Sequence, residues 1–504
     1  MKEEKSYKKP LSFRFSLPVM GTLFLVGLLW SGITTNQEEE NKNSLQQSPV
    51  IGSISQDHIQ QVGQNLATKG KPGSVTHLSV EKIDAEKFTT KDGKEGWCVS
   101  IPGGRALATP AVYKDVVYVG GGFGSYEFYA FDSSTGHPRW AIKVSDDGPT
   151  AAVVAEDKVV FNTESCTLFV VDAKTGKHIW SKWLGDPLMS QPAIAGGNVF
   201  MAFPAQGGHK LIALGLTDGK ERWQSSIVGD IISAPVIYND SVYLATFDGT
   251  VYRFRINNGK KIWQKKFQAT SAPWLHKDQV YVSKRESGEK DVPYEGIARM
   301  ENVKGSQNQE TGIWGKRKAP YIDPKVQSRS SYNAAQKKDD ASVGFSSAPG
   351  TAKINEAASN VGQATVRGLW EYQGSRPCII KNRLFLTQGD QLVALNPKSG
   401  KKMWLKKIGG DLEKLGGHLA APPAPAGENL YLATVTGKIL VVSQKKGRVL
   451  EIIDIGEPMR FQPAIVNGRL FVGTANGKLI CIQLKDKSAD GWPMWGGGPT
   501  HNGL

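Results

Sequence analysis

"DAKTGKHIW", Asp172 to Trp180, decides the fold because nearly the same phrase keeps returning. Trp140 follows DSSTGHPR, Trp223 follows LTDGKER, Trp263 follows INNGKKI, Trp404 follows NPKSGKKM and Trp97 follows KDGKEG. In all six, tryptophan stands four residues after a glycine. A second phrase runs in parallel: a proline, seven residues, then an aromatic. It occurs as Pro110/Tyr118, Pro192/Phe200, Pro235/Tyr243, Pro273/Tyr281, Pro377/Phe385, Pro423/Tyr431 and Pro463/Phe471. An eighth copy keeps Phe161 but has Val153 at the proline position.

Each repeat parses into four short strands, in the second "AAVVAE", "KVVFNT", "TLFVVDA" and "KHIWSKW". The first three are apolar and β-branched and the fourth alternates, so period two replaces the helical period. Gly176 suits the tight turn before the fourth strand because it takes positive φ without steric cost, and Asp172 can bond the turn backbone. Four strands in about 40 residues is the unit of a propeller blade. Tryptophan on each outer strand then acts as a wedge against the next blade, burying about 150–250 Å² in one side chain. This role covers Trp97, Trp140, Trp180, Trp223, Trp263, Trp404 and, in the fifth repeat, Trp370.

The expected fold class is therefore all-β, an eight-bladed β-propeller closed by an N-terminal outer strand. Trp97 and its strand precede the first full repeat, and the last repeat, "FQPAIVNGRLFVGTANGKLICIQL", has three strands and no fourth. If "EGWCVSI" completes that sheet, no edge stays open at the seam. Counting from the turn sets Cys98 opposite Ile480, so the Cys98 and Cys481 thiols face opposite sides and no disulfide is expected. Two departures stand out. At the seventh turn, "KKGRVLE", Glu451 takes the tryptophan position. In the fifth blade "GIARMENVKG" ends at Gly305 and Trp370 lies 65 residues on, which reads as a flexible insert, 306–366, in one C–D hairpin.

The termini differ from the repeats. "MKEEKSYKKPLSFRFS" is basic and Leu17 to Ile33 is an uncharged apolar run, with "EEE" beyond it. That charge order places the N-terminus inside and the rest outside, as an uncleaved signal anchor. The domain reading is a membrane segment over 1–35, a polar stalk over 36–90 with a short helix around "DHIQQVGQNLA", the propeller over 91–486, and a Trp/Gly-rich tail over 487–504. Residues 1–35 make the chain inner-membrane-anchored or secreted, with its propeller in the periplasm or outside the cell. The net charge of +15 permits contact with an anionic membrane, polysaccharide or nucleic acid and selects none of them. Cys98, Cys166, Cys378 and Cys481 are far apart with no CxxC pair, and the eight histidines form no HxxxH, so metal-ligand spacing is absent.

"LFVVDAKTGKHIW" and "VYLATFDGTVYRF" resemble the pyrroloquinoline-quinone-like propeller repeat, over roughly Gly93 to Leu484. That family includes the eight-bladed quinoprotein alcohol dehydrogenases and the outer-membrane assembly lipoprotein of the β-barrel insertion machinery. The resemblance implies the fold directly and leaves function open, because the repeat serves enzymes and scaffolds alike. A quinone-dependent dehydrogenase of this family carries a vicinal cysteine pair and a calcium site, and neither pattern is present. The expectation is a non-catalytic scaffold without cofactor or metal, presenting a face to envelope proteins. Carbohydrate or cell-wall binding is one alternative, for which Trp183, Trp274 and Trp314 are the tryptophans outside the repeat, and a quinone-dependent dehydrogenase is the other. Nucleic acid is not expected, since no basic–aromatic stripe occurs, and oligomeric state is open. The loops joining each outer strand to the next inner strand carry Asp146 or Asp147, Asp186, Asp230, Asp411 and Glu457. In a propeller these D–A loops open at one end, where an arc of carboxylates could steer a basic partner or hold a cation.

Overall fold

The computed structural model describes residues 73–503 except 186–189, 206–207, 287–293, 303–311, 319–360, 362–369, 413 and 416. The apolar run at Leu17–Ile33, the short helix of the stalk and Asp186 lie outside the described residues. The repeats form eight antiparallel sheets, each built outward in sequence order from a three-residue inner strand. Inner strands of successive blades neighbour one another around an axis, and that of blade 8 (Ala464–Val466) meets that of blade 1 (Ala111–Tyr113).

The proline–aromatic phrase is the innermost hairpin. The residue after each proline pairs with the aromatic, as in Ala111↔Tyr118, Ala193↔Phe200 and Phe385↔Cys378. Blade 2 departs from the expected alignment. Val153 pairs with Val160, so Ala152 takes the proline position and Val160 the aromatic one. Phe161 is one residue on and therefore on the opposite face, stacked on Phe128 of blade 1 at 4.3 Å.

In blades 1, 3, 4, 6 and 8 both recurring phrases belong to one row. Tyr118 pairs with Ala130, which pairs with Trp140; Phe200, Ala213 and Trp223 repeat the pattern, as do Phe385, Ala394 and Trp404. The row faces the next blade, and the tryptophan N–H donates to a carbonyl there: Trp97 to Ser133 at 3.2 Å, Trp140 to Ala173 at 3.0 Å, Trp180 to Leu216 at 2.9 Å, Trp223 to Ile256 at 2.8 Å and Trp404 to Gln444 at 3.1 Å. The ring lies on the turn glycine of that next blade. A Cβ on Gly176, Gly219 or Gly259 would stand 2.8, 2.8 or 2.3 Å from a ring atom of Trp140, Trp180 or Trp223. Glycine of one repeat is thus the seat for tryptophan of the repeat before it. At Glu451 the wedge is missing, and the seat opposite, Gly93, has nothing within 4 Å. Instead buried Lys94, next to that glycine, reaches Glu451 at 2.7 Å.

Three expectations are corrected. The outer strand of blade 5 is Trp314–Lys318, and Trp314, not Trp370, covers the next seat at Gly400. The extra sequence therefore follows this strand, in the connection to blade 6, rather than filling the C–D hairpin over 306–366. The spacing was misleading because only Gly312, two residues away, precedes Trp314. The range 36–90 also is not all stalk. Val75–Leu78 pairs with the outer strand of blade 1 and Ala85–Thr89 with that of blade 8, making these two sheets five-stranded. The seam closes in the counted register, with Trp97↔Cys481 and Cys98↔Ile480, and all four cysteines are buried free thiols.

The tail runs through the bore. Its backbone carbonyls at Trp492, Pro493, Pro499 and Thr500 accept from the N–H of Ile465, Val112, Ile194 and Ile237, and the Asn502 side chain pairs with both Leu275 groups. Each of these is the middle residue of an inner strand, whose axial edge would otherwise be unpaired. His501 is held between the Trp495 and Pro192 carbonyls at 2.9 and 2.7 Å. Both carbonyls only accept, so a neutral ring donates to one of them, and burial outweighs their pull and lowers the pKa to about 4. One ring nitrogen of the neutral form therefore faces a carbonyl without a proton. The Arg376 guanidinium sits 5.1 Å from the Trp274 ring and 4.6 Å from the Trp495 ring, donating to the Pro273 and His501 carbonyls.

Candidate functional site

Chain direction puts the D–A and B–C loops of every blade at one end of the ring. The axis there is closed by the segment that joins blades 5 and 6. Trp370 packs 5.2 Å from Phe461 of blade 8 and 5.7 Å from Phe123 of blade 1. Tyr372 donates to Thr270 O at 2.8 Å, and Gln373 donates to Thr109 Oγ1 and accepts from Gln462 N, both at 2.9 Å. Because these contacts reach blades 1, 5 and 8, the segment is a bar across the bore.

Among the described residues, three of the sequence-selected acids have partners of their own. Glu457 is matched by Lys478 at 2.5 Å and accepts from Thr474. Asp411 holds its own turn, accepting from Lys414 N and facing Lys414 Nζ at 3.4 Å. Asp230 is buried and lies 2.8 Å from His209 Nε2 on the neighbouring B–C corner. Asp146 and Asp147 join a like-charged group whose third member, Glu164, comes from the B–C loop of blade 2.

Backbone bonds set this group. Glu164 N donates to Asp147 O at 2.8 Å, and Gly148 N to Ser125 O at 2.9 Å, tying the D–A loop to the B–C loops of blades 1 and 2. Asp146 accepts from the Thr163 hydroxyl. Glu164 is buried, and its Oε2 has no hydrogen-bond partner among the described residues. Burial first, then Asp147 and Asp146, pushes its carboxyl up to about 8, so it is protonated at neutral pH. Burial and Asp146 also raise Asp147, against the opposing charge of Arg105. Around these acids Tyr126, Trp183 and Val228 are exposed at the same end of blades 1 to 3, and Asp147 is the main cause that raises the Tyr126 phenol. Looking only at D–A loops missed Glu164, Tyr126 and His209. The signal available was that B–C loops open at the same end.

Glu164 gives a pH prediction. Its folded pKa lies above the unfolded one, so the folded state binds more protons between the two values and loses stability as pH rises through them. Glu164→Gln is expected to be near neutral at pH 5 and to stabilise at pH 9 by on the order of 2 kcal/mol. Thermal denaturation at the two pH values measures this, and an equal shift at both would refute it.

The group is not suited to a quinone or metal. Among the described residues no three His, Cys, Asp or Glu side chains converge as metal ligands. No two cysteines are adjacent in sequence, and burial raises Cys98 to about 11 and Cys378 and Cys481 to about 12. An axial ligand at this end would have to displace Trp370 and its partners. Of the tryptophans outside the repeat, Trp314 is the wedge of blade 5 and Trp274 is stacked on Trp492 in the bore at 6.2 Å, leaving Trp183 exposed.

The profile of the family described as "Outer membrane protein assembly factor BamB" matches residues 79–297 and 356–489. Proteins of that name are 29% identical over 218 residues in Nitrosomonas eutropha, covering 39% of this chain and 50% of that one, and 23% identical over 235 residues in Burkholderia pseudomallei, covering 36% and 61%. The matches thus span about half the length of these relatives. The crystal structure of BamB from Moraxella catarrhalis superposes with a TM-score of 0.50 at 14% identity, over 82% of this chain and 98% of that one. At that identity the likeness concerns the fold alone.

Proposed function

The chain belongs to the outer membrane protein assembly factor BamB family, and from that premise we propose that it is a non-catalytic propeller presenting the D–A end of blades 1 to 3 to protein partners in the cell envelope. The observation that carries this reading is the juxtaposition at that end of exposed Tyr126, Trp183 and Val228 with the Asp146, Asp147 and Glu164 group, over a bore closed by Trp370. Exposed aromatic and aliphatic anchors ringed by charge are what a protein interface needs, whereas a closed axis leaves no cleft in which to assemble catalytic groups. Asp230 and His209 lie at the same end of blade 3. Anchoring by the N-terminal apolar run would raise the local concentration of this face near the membrane.

The test is site-specific photocrosslinking in cells. A photoreactive residue at Tyr126 or Val228 is expected to capture a discrete envelope protein, and one at Thr135, in a C–D turn at the opposite end, is not. Asp146→Asn with Asp147→Asn should cut the yield about ten-fold, since rim charges act on association and on its salt dependence. Equal capture at both ends, or an unchanged yield in the double variant, would refute the assignment.

A further inference from the structure

Three consecutive blades carry one sign of charge on their outer strands. Lys261–Lys266, Trp314–Lys318 and Lys402–Lys407 hold three lysines or arginines each, nine in all, and no acid. Some are committed: Lys266 faces Asp248, and Arg317 faces Glu295 and Asp390. On blade 6 the situation differs. Lys402, Lys406 and Lys407, with Lys398 and Lys401 of the preceding turn, face no carboxylate within ion-pair distance among the described residues. Alternating with them are Met403, 46% exposed, and Leu405, 39% exposed. Blade 7, next in the ring, adds Leu450 at 46% and Ile452 at 48% on its outer strand, beside Lys445, Lys446 and Arg448 of its turn.

Lysine on an edge strand guards against edge-to-edge pairing, but that purpose is defeated by four exposed large aliphatic side chains on the same two edges. Among the described residues the edges of blades 1 and 8 are covered by Val75–Leu78 and Ala85–Thr89, whereas no further strand pairs with the outer strands of blades 6 and 7. Apolar side chains interleaved with long cationic ones match one chemistry well. Lysine stems reach outward to anionic headgroups while the aliphatic groups enter the interfacial zone between them.

We propose that the outer edge of blades 6 and 7 is a docking surface for an anionic lipid bilayer. The charge complementarity commits the occupant: a surface of lipid phosphates supplies the many anions that match five lysines on one hairpin facing no carboxylate among the described residues. The inference shares with the function proposed above only the placement of the chain near a membrane. It involves none of the D–A end, so crosslinking at Tyr126 and the experiment below can fail independently.

The test reads individual lysines on the full chain. The protein is mixed with vesicles of phosphatidylcholine alone or containing a third phosphatidylglycerol, and acetylation of each lysine by an activated ester is followed by mass spectrometry. With the anionic vesicles, Lys402, Lys406 and Lys407 are expected to react about five-fold more slowly than with neutral ones. Lys177 and Lys182 of blade 2 should be unaffected, and high salt should remove the difference. Met403→Asp with Leu405→Asp, both at exposed positions that leave folding intact, should at least halve the protection. Equal rates in both vesicles would overturn the proposal, as would protection shared by blade 2. Stronger protection of the same lysines by soluble polyglutamate than by anionic vesicles would also overturn it, in favour of an acidic protein partner.

Discussion

Removing residues 487–504 is expected to leave a chain that does not fold cooperatively. The tail contributes two buried tryptophans, Trp492 and Trp495, and each loss costs about 3–5 kcal/mol by analogy with other large-to-small core changes. It also supplies acceptors for the inner-strand N–H groups of Val112, Ile194, Ile237, Leu275 and Ile465. Their loss leaves donors on the axial edge, and strips Arg376 of one ring and one carbonyl while it remains buried. Together these exceed the net stability of a typical domain, about 5–15 kcal/mol. Urea denaturation followed by tryptophan fluorescence and near-ultraviolet dichroism measures the effect. The single change Trp495→Ala should lower the unfolding free energy by about 4 kcal/mol, and a synthetic peptide of residues 487–504 should restore a cooperative transition to the shortened chain. An unchanged midpoint after truncation would show that the ring closes without its pin.

Gly259→Ala is expected to cost about 4 kcal/mol, and Gly93→Ala about 1 kcal/mol, although both glycines have positive φ in the same turn. The difference is the seat. A Cβ on Gly259 would lie 2.3 Å from Trp223, and the ring cannot retreat because its N–H is held by Ile256 O at 2.8 Å. On Gly93 the new methyl meets nothing within 4 Å, since the preceding blade has Glu451 instead of tryptophan. Only backbone strain remains there. Equilibrium unfolding of the two variants gives the comparison, and equal losses would mean that the turn, not the packing between blades, selects glycine at these positions.

The spacing of Gly176 and Trp180 was legible because strand, turn and wedge repeat at fixed intervals, and the Cys98–Ile480 register followed by counting from a turn. Blade 5 departs from the spacing because its turn lacks the glycine four residues before tryptophan, so Trp314 carries no such signal. Phe161 was misaligned for a simpler reason: an aromatic lies on either face of a strand, and only the pairing partner says which. The acids of the D–A loops were visible as residues but not as a group. Lys478, at the start of a strand, neutralises Glu457, and Glu164 joins Asp146 and Asp147 from the B–C loop of the next blade.

The sequence by itself determined that this is a closed eight-bladed ring, because short-range pattern suffices to specify strands, turns and the wedge between neighbours. The tertiary structure alone decided what occupies the axis and which charges remain unmatched at each surface. Trp370, Arg376 and the tail meet blades more than a hundred residues away from them in several contacts, and no local period records a contact made across a ring. Charge behaves likewise: whether Asp147 or Lys406 is compensated depends on what other blades and loops bring within a few ångströms, a distance that chain order does not encode.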